Sequence, residues 1–225
     1  HLSIRRQRQM CIRDRIKARA DIGSSQPVKL HFSWPDGFTA SNIAIVVNGT
    51  LYTTDRDGWV VFKTLSEKIA KLTWAPIGAR WGPSDLKVQL KTELPSIISD
   101  RIKIMGGGTA NSRINVGSST IVWFKAVYEY DGITFDAFKG VLFVNGSAAS
   151  WNELEKRWEI STGVYEMSGK RSYVISGVGD KAYGITVIND AVGPISVVWY
   201  RPAEFKVTDL TVSPTVIQIG GVITI

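Results

Sequence analysis

Apolar residues recur at every second position along short stretches of this chain. Val28, Leu30, Phe32 and Trp34 alternate with Lys29, His31 and Ser33, the period-two pattern of a strand with one buried face. Val122, Phe124, Ala126, Tyr128 and Tyr130 alternate in the same way with Trp123, Lys125, Val127 and Glu129, and Trp158 and Ile160 with Arg157 and Glu159. In the second half such runs fall at about 102–105, 113–116, 119–130, 139–145, 157–161, 172–178, 184–188 and 195–201, with Gly, Asn, Asp and Pro between them. No long stretch has helical spacing; Asn152 to Lys156 allows one turn at most. Gly106-Gly107-Gly108 reads as a flexible link between strands, because neither a Lys-Ser/Thr pair nor a helix follows it.

Seven or eight strands in about 100 residues is the count of an immunoglobulin-like sandwich. The chain also aligns with itself. Arg19 to Ser25 corresponds to Arg113 to Ser119, Asp36-Gly37-Phe38-Thr39 to Asp131-Gly132-Ile133-Thr134, and Val47-Asn48-Gly49-Thr50 to Val144-Asn145-Gly146-Ser147. A tryptophan follows each of the last pair, Trp59 and Trp158, and Gly82-Pro83 answers Gly193-Pro194. The offset drifts from 94 through 95 and 97 to 111, as when strands are kept and loops vary in length. Asp209-Leu210-Thr211-Val212 parallels the run from Asp100 to Ile104. The expected organisation is therefore all-β and tandem: residues 16–95 as a first sandwich truncated at its N-terminus and lacking its first strand, 96–203 as a complete second one, and 204–225 as the first strands of a third, in a fragment of a longer chain. Trp158 and Trp199 are the bulky residues expected to fill the second core, and Leu94-Pro95-Ser96 the link that restricts the hinge.

The net charge of +7 suggests a polyanionic partner until its distribution is examined. Residues 1–19 hold seven Arg and Lys against one Asp, or +6, which leaves +1 for residues 20–225. The body of the chain is near neutral, so nucleic acid is not an expected partner. Residues 1–15 contain the only cysteine, Cys11, and no apolar targeting segment. Met10-Cys11-Ile12-Arg13-Asp14 resembles the translated transposon end of sequencing-library adapters, which makes 1–15 a non-native leader.

Beyond that leader there is no cysteine and one histidine, His31. A Cys-His nucleophile, a zinc site and a disulfide framework are all excluded. His31 falls on the polar face of its run and reads as an exposed strand residue. Asp55-Arg56-Asp57-Gly58 hints at calcium, but Thr53 and Thr64 stand where ligands are wanted, so a turn is the better account. Glu153, Glu155 and Glu159 lie in a polar turn and strand with no cleft partner. No catalytic residue, metal ligand or cofactor is assigned. Asn48 and Asn145 both satisfy the N-x-[ST] acceptor pattern, and Asn-Gly is equally the preferred pair of a tight hairpin; the two accounts are compatible. Eight tryptophans invite a glycan platform; most belong to core runs, and Trp34, Trp81 and Trp151, nearest to turns, are the candidates for glycan contact.

The run IVWFKAVYEYDGITFDAFKGVLFVNGSAASW, followed by RWEI, YVISGVGDKAYGITVIND and VVW, resembles an immunoglobulin-like repeat of large archaeal cell-surface proteins. The resemblance covers residues 100–202 well and 16–95 loosely. FKVTDLTVSPTVIQIGGVITI is similar to the opening of adhesion-related CARDB-type modules. What this implies is an extracellular, cell-surface segment without an enzymatic role, a structural spacer or adhesion element. Its partners would be neighbouring immunoglobulin-like domains of the same longer chain, with surface glycans or other surface proteins beyond them, and it has no membrane segment. The alternative is a carbohydrate-binding accessory module of a large secreted enzyme.

Overall fold

The computed structural model describes residues 9–14, 19–81, 84–88 and 96–202. Every regular element among them is a strand. The first module contains β1 (Gln9–Asp14), β2 (Arg19–Asp21), β3 (Gln26–Ser33), β4 (Ala44–Val47), β5 (Thr50–Thr53), β6 (Trp59–Thr64), β7 (Ala70–Thr73), β8 (Pro76–Trp81), β9 (Ser84–Val88) and β10 (Ser96–Asp100). The second contains β11 (Ile102–Thr109), β12 (Arg113–Asn115), β13 (Ile121–Tyr128), β14 (Gly140–Val144), β15 (Ser147–Ala148), β16 (Ser150–Asn152), β17 (Arg157–Ser161), β18 (Gly169–Tyr173), β19 (Ile175–Asp180), β20 (Ile188–Asp190) and β21 (Ile195–Tyr200).

In the second module one sheet runs β16-β17-β13-β11-β20. The opposing layer is built from β12-β21-β18 and β15-β14-β19, which are continuous because only Val174 separates β18 from β19. Strands β11, β13, β17 and β16 thus take the A, B, E and D places of an immunoglobulin-like sandwich, and β14, β18–β19 and β21 the C, F and G places. Val122, Phe124, Trp158, Leu142, Val144, Val197 and Trp199 come from both layers and form one buried cluster. Trp158 and Trp199 are 2% and 1% exposed, so they fill this core as their runs predict.

The first module repeats most of this topology, but among the described residues β16 has no counterpart there, and a β8–β9 pairing absent from the second module joins its layers into one seven-stranded sheet. β1 pairs antiparallel with β3 as β11 does with β13, β10 lies parallel to β2 as β21 does to β12, and β4 pairs with β5 and β8 as β14 does with β15 and β19. Isolated bridges Ser33–Thr39 and Val127–Thr134 recur at matching positions. The protein is all-β, a pair of immunoglobulin-like sandwiches.

Several expectations change. The first module is not missing its opening strand: Gln9–Asp14, inside the segment set aside as a leader, pairs with β3 and runs parallel to β9. The edge of β3 has backbone donors and acceptors that require partners, and β1 supplies them. Ser96–Asp100, placed in the second domain from its pattern, hydrogen-bonds to β2 and β7 and closes the first. The modules therefore meet at Asp100–Arg101, and Ser96 belongs to a strand, not to a hinge. Gly82-Pro83 falls between β8 and β9, whereas Gly193-Pro194 falls between β20 and β21, so those pairs are not equivalent. The expected third domain, 204–225, lies outside the described residues.

The glycine run also has a different cause. Gly106, Gly107 and Gly108 are within β11, across from Lys125, Phe124 and Trp123. A Cβ on Gly107 would come within 3.0 Å of the Phe124 ring, and one on Gly108 within 2.9 Å of Trp123. Small residues are needed there so that two aromatic side chains can lie across the strand. Tyr130, read as a core residue, is 40% exposed, because β13 ends at Tyr128, whose N–H donates to the Ile133 carbonyl to open a turn.

Candidate functional site: the joint between the modules

Asp100 and Arg101 join the two sandwiches with no spare residue between β10 and β11 beyond Arg101 itself. Their backbones are engaged on both sides: Ile22 N–H donates to the Asp100 carbonyl, Glu129 N–H to the Arg101 carbonyl, and Ile102 N–H to the Val187 carbonyl. The connection is part of two sheets, which confines relative rotation of the backbone to the torsions of Arg101 and leaves the orientation to be set by side chains across the joint.

Arg19 occupies the centre of the joint. It begins β2, which runs parallel to β10, and it is 3% exposed. Its guanidinium bonds the carboxylate of Asp100 in its own module and reaches across to Asp131 Oδ2 of the second module at 2.5 Å. Its Cζ lies 4.5 Å from the Tyr128 ring centroid and 5.0 Å from that of Tyr183, a cation over two aromatic faces. Burial alone would lower the pKa of Arg19, but the Asp131 hydrogen bond and the Asp100 charge outweigh it and raise the pKa above the ordinary arginine value. Two carboxylates against one buried guanidinium keep the cation compensated.

The partners are themselves held. Asp100, fully buried, accepts from Tyr130 N–H at 2.9 Å. Asp131 accepts from Ile133 N–H at 3.2 Å within its Asp-Gly turn, where Gly132 has φ 71°. Burial works to raise the Asp131 pKa, yet the bond from Arg19 prevails and holds it below the usual aspartate range. Tyr128 donates its hydroxyl to Asp180 at 2.9 Å, and Asp180 also accepts from the N–H groups of Ala182, Tyr183 and Ile185. Burial first, and then that bond, push the Tyr128 pKa far up, so the phenol stays neutral.

A second crossing lies beside the first. Asp21, two residues after Arg19 and on the same side of β2, accepts from Thr186 N–H at 2.7 Å, Val187 N–H at 3.0 Å and Thr186 Oγ1 at 2.7 Å. Oδ1 of this first-module carboxylate thus satisfies two backbone N–H groups of the second module, and Oδ2 accepts from a side-chain hydroxyl there. Flanking the joint, Arg101 pairs with Glu129 at 2.5 Å and Lys103 lies 3.7 Å from the same carboxylate; the Arg101 hydrogen bond holds Glu129 below its usual range. The assembly is a polar contact between the modules in which charged side chains pair with one another and with backbone N–H groups.

The residues singled out from sequence lie elsewhere. Asn48 and Asn145 have φ 47° and 48°, each followed by a glycine at φ 82° and 80°, the tight hairpin turn expected of Asn-Gly. Their amides do more than turn the chain. Asn145 Nδ2 donates to the Ser172 carbonyl at 2.9 Å and its Oδ1 accepts from Val174 N–H at 2.9 Å. Asn48 makes the same pair to the Thr73 carbonyl and Ala75 N–H at 2.8 and 3.0 Å. Each amide therefore staples the break between β18 and β19, or between β7 and β8.

Trp34 packs on the first core and Trp151 on the second, with the Trp151 ring 5.4 Å from Trp158 and its Nε1 donating to Glu153. Trp81 ends β8, and its side chain lies outside the described residues. Trp34 and Trp151 sit on different modules and form no common platform, so the carbohydrate-binding alternative finds no support. Asp55 Oδ1 is occupied by Asp57 and Trp59 N–H groups, as a turn requires. His31 is half-buried, its ring 4.7 Å from that of Trp59. Among the described residues no group of acids and histidines could hold a metal, and no helix is long and apolar enough to cross a membrane.

No protein-family model matches the chain, and no curated protein matches it in sequence. Among solved structures it is similar to FdeC, an adhesin of Escherichia coli, at 14% identity and a TM-score of 0.42, over 86% of this chain and 64% of that one. It is also similar to a C-terminal 282-residue fragment of intimin in complex with the intimin-binding domain of the translocated intimin receptor, at 13% identity and 0.40, over 85% and 63%. Fibronectin(III)-like modules of CbhA from Clostridium thermocellum match at 10% identity and 0.35, over 85% and 93%. The chain spans just under two thirds of the length of the first two.

Proposed function

We propose that this chain is a non-enzymatic, adhesion-type segment of an extracellular surface protein, in which two immunoglobulin-like modules act as one stiff spacer. The observation that supports it most is the pair of crossings made by Arg19 and Asp21. A flexible tether needs neither a buried arginine bridging two modules nor a carboxylate spent on the neighbour's backbone, and relative motion is the default where such contacts are absent. Surface labelling tests the location. Antibody against the chain is expected to stain intact cells of the source organism; staining only after permeabilisation would contradict it.

On this proposal Asn48 and Asn145 are the acceptors for glycosylation. Each exposed amide commits one Nδ2 hydrogen to a backbone carbonyl and keeps a second for the glycosidic bond. Mass spectrometry of the protein from its own cells is expected to find added hexose-type mass on both tryptic peptides.

A further inference from the structure

The repeat places a second copy of the joint's chemistry at the far end of the second module. Arg113 stands in β12 where Arg19 stands in β2, paired to Val198 of β21 as Arg19 is to Ile98 of β10. Asn115 stands where Asp21 does, opposite Tyr200 as Asp21 is opposite Asp100. Ile114 between them points into the core and is 9% exposed, so Arg113 and Asn115 face outward, and both are exposed. Arg113 has a cation–π contact with Tyr200 at 5.4 Å and no ion pair among the described residues. Its counterpart in the inner joint is buried between two carboxylates.

The complementary face lies at the opposite end of the chain. Asp36-Gly37 is the equivalent of Asp131-Gly132, and its local geometry is the same. Asp36 Oδ1 accepts from Phe38 N–H at 3.3 Å where Asp131 accepts from Ile133 at 3.2 Å, and Gly37, like Gly132, has positive φ. Asp36 is exposed. One end thus carries the cation of the joint and the other its anion.

We infer that Arg113 of one molecule docks on the Asp36-Gly37 turn of a second copy, repeating the inner joint between chains. Asn115 Oδ1 accepts backbone N–H as Asp21 Oδ1 does, without the second oxygen that takes the Thr186 hydroxyl in the inner joint. The contact is head-to-tail and does not close on itself, so it generates open strings of molecules. Because Tyr200 replaces the second carboxylate and no covalent tether raises the local concentration, association is weaker than within the chain. The inference rests on the inner joint being a fixed contact, but the charge reversals at Arg113 and Asp36 that test it leave that joint untouched.

Sedimentation of the full chain, up to about millimolar concentration at low salt, reads the outcome. Average mass is expected to climb with concentration without levelling at a dimer and to fall as salt screens the pair. Arg113→Asp or Asp36→Arg alone should lower the association constant about tenfold or more, and the two together in one chain should restore it. Thermal midpoints of all three variants establish that they fold. A monomer at every concentration would overturn the proposal, as would association that neither charge reversal changes, which would put the contact elsewhere or show this face covered by residues 203–225. If Asp131→Asn, in the inner joint, alters the module angle while Arg113→Asp does not, the two contacts are separately tested.

Discussion

Arg19 and Asp131 are 112 positions apart in sequence and 2.5 Å apart in space, joined across two separately built sandwiches. Neither residue lies in the link between them. The orientation of the modules is therefore specified by side chains at the start of β2 and in the turn after β13, together with the short connection itself.

Removing Arg19 leaves Asp100 fully buried without its cation. Loss of one partner from a buried pair costs about 3–5 kcal/mol. Arg19→Ala is expected to lower the thermal midpoint of the first module by several degrees or more, and Arg19→Lys to recover only part, since a point charge cannot reach both Asp100 and Asp131 with a planar fork. A midpoint within a degree of the parent would mean that the pair does not hold the module.

Acid should loosen the joint. The folded-state pKa of Asp131 is depressed, so its stabilisation is fully present above the unfolded value of about 3.9 and is lost as pH falls through the folded value. Glu129, also depressed through Arg101, adds in the same direction. The difference in unfolding midpoint between the parent and Asp131→Asn should be largest above about pH 5 and shrink as pH falls below the unfolded value of about 3.9 toward the lower folded one. A constant difference across that range would assign the effect of the substitution to something other than charge.

The asparagine staples separate into two effects. Asn145→Gly keeps the positive φ but loses both hydrogen bonds; Asn145→Ala loses the bonds and adds backbone strain. Costs of about 1 to 2 kcal/mol for glycine and about 1 kcal/mol more for alanine follow. Equal losses for the two variants would remove the role assigned to the left-handed turn.

Gly140 leaves no room for a side chain. A Cβ there would come 2.2 Å from the Gly179 carbonyl oxygen and 2.6 Å from Phe135. β14 and β19 would have to part, since the obstruction is backbone, so Gly140→Ala is expected to unfold the second module at a temperature at least several degrees lower. Gly169→Ala, with nothing within 4 Å, is the control and should differ little.

Strand alternation made the sandwich legible, because Val28, Leu30 and Phe32 or Val122, Phe124 and Ala126 announce a buried face by spacing alone. The internal repeat placed both Asn-Gly hairpins for the same reason. The joint was not legible as a site. Arg19 and Asp21 appeared only as members of a repeated string, and nothing local distinguishes an arginine that will be buried against another module from Arg113, which is exposed. Strand β10 was misassigned because an apolar run next to a proline does not say which neighbour it will pair with. The glycines of β11 misled because the reason for them, the rings of Trp123 and Phe124, stands on a different strand.

The central claim is that the two modules form one stiff unit through the Arg19 and Asp21 crossings. Residual dipolar couplings of the amides in each module, measured in dilute neutral solution, test it most directly. A single alignment tensor is expected to fit β3, β6, β13 and β17 together, and Asp21→Ala combined with Asp131→Asn should split it into two tensors of different magnitude. Two unequal tensors in the unaltered protein would contradict the claim.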